Sequence, residues 1–178
     1  MTSDKTLLLI DGQNLYRTAK SLGFDIDFKK VLAEFRSRGN LLRAKYYTPI
    51  DKEEETSSIV PLLDWLDYNG YSVVTKPIKS FTDAEGHRRT KANMEIEIAI
   101  DAMEMGNTIE HVVLFSGNGE FRVLVEAMQR RGVRVTVVSS IISEPAACAD
   151  ELRRQVDTFI DLADLRSKIA RHVPSRNG

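Results

Sequence analysis

Two short polar turns carry the residues best suited to chemistry. Asp11-Gly12-Gln13-Asn14 follows the apolar run Leu7-Leu8-Leu9-Ile10, and Ser116-Gly117-Asn118-Gly119-Glu120 follows Val112-Val113-Leu114-Phe115. In open parallel sheets, sites form beyond the carboxyl ends of the strands, near the point where strand order reverses. If the two runs are neighbouring central strands, Asp11, Asn14, Asn118 and Glu120 converge there. Oxygen ligands without His or Cys suit a hard cation such as Mg²⁺ or Mn²⁺. Such an ion, holding a phosphate and activating water, points to phosphodiester hydrolysis.

A third segment, Met94-Glu95-Ile96-Glu97-Ile98-Ala99-Ile100-Asp101, can add carboxylates from a helix. Glu97 and Asp101 share a face, whereas Glu95 and Asp101 are about 120° out of line. Glu95 therefore reaches a common site with Asp101 only from a frayed first turn. Each residue also has a plainer reading. Asp11-Gly12 and Asn118 between two glycines suit turns, Glu120 suits a helix N-terminus, and Glu97 and Asp101 suit solvated helix positions. The combination favours a site.

Basic residues are local. Gly86-His87-Arg88-Arg89-Thr90-Lys91 precedes the acidic helix, with Lys45 and Lys76 near strands, and all could meet phosphates. Phe81 offers one ring for a base. Arg130-Arg131 suits a helix C-terminus.

The elements that must position these groups alternate. Strands are expected at 7–10, 41–48, 71–78, 111–115, 133–138 and 159–160. Helices are expected at 28–38 (capped by Asp27 and stopped by Gly39), from the acidic stretch at 51–55 to Gly70 with Pro61 marking its start or a kink, and at 94–105, 121–131, 146–156 and 162–170. Segment 80–93 has no period and is expected to be a loop. This alternation predicts an α/β fold: one domain over 1–172, with a mostly parallel sheet of five or six strands and helices on both faces. Residues 173–178 are expected to be a disordered tail.

Composition narrows the classes. A chain of 178 residues with formal net charge −1 has no global field to draw it to nucleic acid or membrane. The single Cys148 excludes an internal disulfide and suits a reducing cytoplasm. The start of the chain does not read as a signal peptide, and no run approaches the length of a membrane span. GxGxxG and GxxxxGK[ST] are absent, Ser116 lacks a nucleophile elbow, and the three histidines form no ligand spacing.

Taken together, "LLLIDGQNLY" at 7–16, "KANMEIEIAIDAM" at 91–103 and "VVLFSGNGEFRVLVEAMQRRGVRVTVVS" at 112–139 resemble the NYN domain family, in particular its bacterial LabA-like (DUF88) branch. The agreement continues through "ADELRRQVDTFIDL" at 149–162. The resemblance implies a three-layer PIN-like (Rossmannoid) nuclease fold and RNA cleavage dependent on Mg²⁺ or Mn²⁺. It implies metal ligands and catalytic groups at Asp11, Glu95, Asn118 and Glu120, a further acid at Asp101, and Asn14 orienting Asp11 or a bound water. Asn14, Arg88, Arg89 and Lys91 are then expected to touch RNA.

The chain departs from the family pattern, which leads us to expect Asp at positions 95, 118 and 120 and Gly at 92. Asn118 removes a charge. One unit-charge pair at ~4 Å and an effective ε of ~20 is about 4 kcal/mol before desolvation, so weakened metal binding and activity are expected. The rival expectation is a catalytically impaired RNA-binding or regulatory module of the same fold. A Rossmann-type nucleotide enzyme is disfavoured by the missing glycine fingerprint. RNA is the expected partner, no membrane is expected, and a homodimer is left open.

Overall fold

The computed structural model describes residues 3–51 and 59–172. The expected tail at 173–178 and most of the acidic stretch expected to open a helix lie outside them.

Six strands form the central sheet: β1 (Lys5–Asp11), β2 (Asn40–Ile50), β3 (Ser72–Pro77), β6 (His111–Phe115), β7 (Arg134–Ser139) and β8 (Thr158–Asp161). Their order is β3-β2-β1-β6-β7-β8, and all five pairings are parallel. The two apolar runs beside the polar turns are thus adjacent, with Ile10 opposite Phe115. Strand order reverses between β1 and β6, which opens a crevice at their carboxyl ends.

Both faces of the sheet are covered, and strand alternation shows how. Leu8, Ile10, Val113 and Phe115 face one core; Leu7, Leu9, Val112 and Leu114 face the other. The first core is completed by α1 (Gly12–Leu22), α2 (Phe28–Arg38), α3 (Ile59–Tyr68) and α7 (Leu162–Ile169). The second is completed by α4 (Glu95–Met105), α5 (Arg122–Arg130) and α6 (Asp150–Gln155). Runs apolar on both sides of the pleat are what a twice-covered parallel strand requires. Asp27 caps α2 by accepting from the Lys29 and Lys30 N–H groups. Pro61 falls in the first described turn of α3, where its missing N–H costs nothing. No helix among the described residues is long and apolar enough to cross a membrane.

Two expectations need correction. Segment 80–93 is not an irregular loop: β4 (Lys79–Thr82) and β5 (Arg88–Lys91) pair as an antiparallel hairpin. Turn chemistry closes it. Asp83 Oδ1 accepts from the Glu85 and His87 N–H groups, and Gly86 takes φ +81°. The helix expected at 146–156 begins only at Asp150. Upstream, side chains satisfy the backbone instead: Ser140 Oγ accepts from the Ile142 and Ser143 N–H groups, and Ser143 Oγ from that of Ala147. Helix α1 is an addition that the periodicity argument left out.

Candidate active site

Asp11 is the last residue of β1 and the N-cap of α1. Its neighbour must be glycine because the Tyr46 ring lies against it; a Cβ on Gly12 would sit 2.5 Å from the Tyr46 hydroxyl. Across the crevice, a Cβ on Gly117 would run into the Ala147 carbonyl and Ser139 Oγ. Both turns are therefore as tight as their sequences suggest.

Hydrogen bonds join the turns. Buried Ser116 donates from Oγ to Asp11 Oδ2 at 3.1 Å and accepts from the Asn118 N–H at 3.2 Å. Asn14, in the first turn of α1, accepts the Gly117 N–H at Oδ1, also at 3.1 Å. Asn118 then turns both ends of its amide to use. Oδ1 caps the short 3₁₀ turn Gly119–Phe121 by accepting from the Glu120 N–H at 3.0 Å. Nδ2 donates to Glu95 Oε1 at 2.6 Å. Asp11, Asn14, Ser116, Asn118 and Glu95 thus form one connected set, and Glu95 reaches it from the first turn of α4.

The electrostatics of the set are unbalanced. Burial raises the Asp11 carboxyl above the ordinary carboxylate range. The Ser116 hydroxyl, the Asn14 backbone amide and the charge of Arg17 pull it back only in part, while Glu95 adds to the rise. Glu95 Oε2 is buried with no hydrogen-bond partner. A buried anionic oxygen without a donor is costly, and a cation or a proton would relieve both defects. In that respect the residues fit a divalent ion held by Asp11 and Glu95. Asn118 fits less well, since it aims a donor at Glu95 and its oxygen is engaged by a backbone N–H.

The other expected acids stand apart. Glu120 is exposed and shares with Glu95 an open cleft of about 440 Å³, bordered by Lys76 and Lys79. Among the described residues, the one group of three or more acid, His or Cys ligand atoms lying within 4.8 Å of one another is Asp83, Glu85 and His87 at the hairpin tip, so Asp11, Glu95 and Glu120 together are spread wider than that. Asp101 lies about 9 Å further along α4 than Glu95, at ~1.5 Å per residue. Its Oδ2 is taken by the Tyr47 hydroxyl at 2.6 Å and Lys45 Nζ at 3.2 Å. Burial and that hydrogen bond push the Tyr47 phenol far upward, so it stays a donor.

Two lysines considered for phosphate contact are paired with acids. Lys45 pairs with Asp101, and Lys76 with Glu97 at 2.9 Å. Burial pushes the Glu97 carboxyl up, but the Lys76 hydrogen bond and charge overcome it, leaving it lowered overall. On the hairpin, Arg89 Nε donates to Asp83 Oδ2 at 2.7 Å. Arg88 is exposed and donates to the Ser80 hydroxyl at 3.4 Å. Lys91 ends β5. The residue that sequence reasoning missed is Ser116, the hinge between Asp11 and Asn118. Its place at the end of a buried strand, directly before the glycine, was the available signal.

Comparison with known proteins identifies the family and the fold. The family model described as NYN domain matches residues 5–163. Low amplitude and bright protein LabA of Synechococcus elongatus is 34% identical over 166 residues, covering 91% of this chain and 86% of LabA. The crystal structure of a protein of unknown function from Vibrio parahaemolyticus shares the fold with a TM-score of 0.78, at 23% identity, over 95% of this chain and 97% of that one.

Proposed function

Because the chain belongs to the NYN domain family, we propose that it hydrolyses RNA phosphodiester bonds with Mg²⁺ or Mn²⁺, at a rate limited by Asn118. One observation carries this reading. At the β1–β6 switch point, Asp11 and Glu95 are tied into a single hydrogen-bonded set, yet Glu95 Oε2 is left without a partner.

Asp11 and Glu95 would hold the ion, and Glu120 shares with Glu95 the cleft that opens beside it. When bound, a divalent ion lowers the pKa of water and offsets the charge of the phosphate. The chain's own residues do the rest. Ser116 and the Asn14 backbone amide fix the Asp11 carboxylate, and the Asn14 side chain locks the Gly117 turn against α1. The hairpin that begins at Lys79, on the border of the cleft, also carries Arg88, Arg89 and Lys91, which would meet RNA phosphates. Asn118 supplies a neutral amide at a position where a carboxylate would strengthen the cation's hold.

The hydrogen bond from Asn118 to Glu95 favours a second reading, an RNA-binding module with little cleavage, because it gives Glu95 a partner in the absence of metal. The test is cleavage of single-stranded RNA by pure protein in millimolar Mn²⁺, in Mg²⁺ and with chelator, for wild type and Asp11→Asn. Metal-dependent cleavage lost in Asp11→Asn supports the nuclease. RNA binding without cleavage in either metal supports the module. Neither binding nor cleavage removes both.

A further inference from the structure

On the α1 side of the crevice lies a groove of about 750 Å³, within the size range of ligand pockets, about 300–1,000 Å³. Aromatic rings contribute to its walls: Tyr46 and Phe28 meet edge to face at 5.4 Å, and Tyr16 of α1 and Trp65 of α3 also line it. Tyr16 is 62% and Trp65 38% exposed, so two large rings offer surface to solvent. Gly12, Leu15, Tyr16 and Ala19 share one face of α1 and give the groove its helical wall. That wall starts at Gly12, the residue after Asp11, and the Tyr46 phenol feels the Asp11 charge. The groove thus starts one residue from Asp11, beside the candidate active site.

The charges that line it are balanced, Lys29 and Arg171 against Asp25 and Asp27, and cations stand nearby. Lys20 Nζ stands 5.7 Å from the Tyr16 ring centroid, Lys29 and Arg171 border the opening, and exposed Arg17 acts on Asp11. Of the two carboxylates on the wall, Asp27 is occupied in capping α2, and Asp25 is exposed.

The geometry points to a nucleobase subsite: the groove receives an unpaired base of single-stranded RNA, next to the nucleotide whose phosphate lies at Asp11. This rests on the reading of the site as one that handles RNA. Flat, exposed rings beside cations, adjoining a phosphate-handling carboxylate, are what an unpaired base and its backbone require, since stacking tolerates any base and cations track the phosphates. Tyr16 and Trp65 are the stacking surfaces. Gly12 admits Tyr46 as the floor.

Trp65 is the chain's one tryptophan, so its fluorescence reports directly on the groove. The probes, used in excess chelator so that no metal-dependent cleavage occurs, are an oligoribonucleotide and an abasic oligonucleotide of the same length and charge. The base-bearing strand is expected to quench Trp65 and to bind about tenfold tighter than the abasic one. Tyr16→Ala is expected to remove that tenfold advantage and leave abasic binding unchanged; Tyr16→Phe keeps it. Tyr16 is exposed enough that folding survives its replacement, and Trp65 remains as reporter. Equal affinity and no quenching with both probes overturns the subsite while leaving RNA binding intact. Binding of neither probe overturns the RNA reading and the subsite with it. Concentration-dependent self-association that shields Trp65 assigns the groove to a second copy of the chain and overturns the subsite.

Discussion

Asn118 Nδ2 donates to Glu95 Oε1 across 2.6 Å, joining the turn after β6 to the first turn of α4. A neutral donor there satisfies one oxygen of Glu95 and leaves the other, Oε2, buried without a partner. It also leaves Asp11 desolvated, with its carboxyl raised and Glu95 adding to the rise. Asn118 therefore tempers the repulsion between the acids without removing it.

Asp11 should cost the folded protein stability at neutral pH. Its carboxyl titrates higher in the folded chain than in the unfolded one, so between those two values the native state binds more protons. Stability is then fully present below the unfolded value and falls as pH rises through the raised folded value. Asp11→Asn, measured without divalent ions at pH 7, is expected to raise Tm by about 2–4 °C, the effect of ~1 kcal/mol on a domain of this size. Millimolar Mn²⁺ is expected to raise the Tm of wild type, and the same variant should lose that rise. A lowered Tm would mean that the Ser116 hydrogen bond outweighs the burial of the charge.

Asp101 is expected to matter for stability rather than for metal. It accepts from the Tyr47 hydroxyl, whose residue is fully buried, and from Lys45. Asp101→Ala strands that donor, at a cost of about 1–3 kcal/mol in urea unfolding. The Mn²⁺-dependent rise in Tm should survive. Its loss would return Asp101 to the ligand set.

Arg88 and Arg89 are neighbours in sequence but not equals. Arg89 is paired with Asp83, whose carboxyl that hydrogen bond holds below its ordinary value. Arg88→Ala is expected to weaken RNA binding and to reduce the salt slope by about one unit. Arg89→Ala should do less to the slope. Fluorescence anisotropy at several salt concentrations separates the two, and identical slopes for both variants and wild type would take the hairpin out of the RNA contact.

The legible parts of the molecule were those written in local pattern. Leu7–Ile10 and Val112–Phe115 are apolar at every position, as a doubly covered strand requires, and each run ends in a polar turn. That was enough to bring Asp11 and Asn118 to one edge. Bonds between distant segments were hidden: Tyr47 reaches Asp101 across 54 positions and Asn14 reaches Gly117 across 103. No period announces such pairs. The hairpin was missed for another reason. Its strands are four residues each, too short for alternation to show, and the signal lay in Asp83 and Gly86.

Asn118→Asp reaches furthest into function. The backbone has no reason to object, because Asp caps a helical turn as well as Asn does and can still accept the Glu120 N–H. What changes is the contact with Glu95: a donor at 2.6 Å is replaced by a second anionic oxygen. Without metal, the exchange loses a charge-assisted hydrogen bond and adds repulsion, so apo stability is expected to fall by about 1.5–3 kcal/mol. With Mn²⁺ or Mg²⁺ the sign reverses. The added carboxylate turns repulsion into attraction for the cation, and metal affinity should rise at least tenfold, since about 1.4 kcal/mol of a charge pair worth ~4 kcal/mol before desolvation suffices for that. RNA cleavage should rise with it. Asp11→Asn in the same background should abolish both gains, because the new carboxylate cannot hold the ion alone. The measurements are thermal unfolding with and without metal, a metal titration, and a cleavage assay on wild type, the single variant and the double variant. Should Asn118→Asp bind metal tightly yet leave cleavage unchanged, charge at position 118 is not what limits the reaction, and the limit lies in the wider spacing of Glu120.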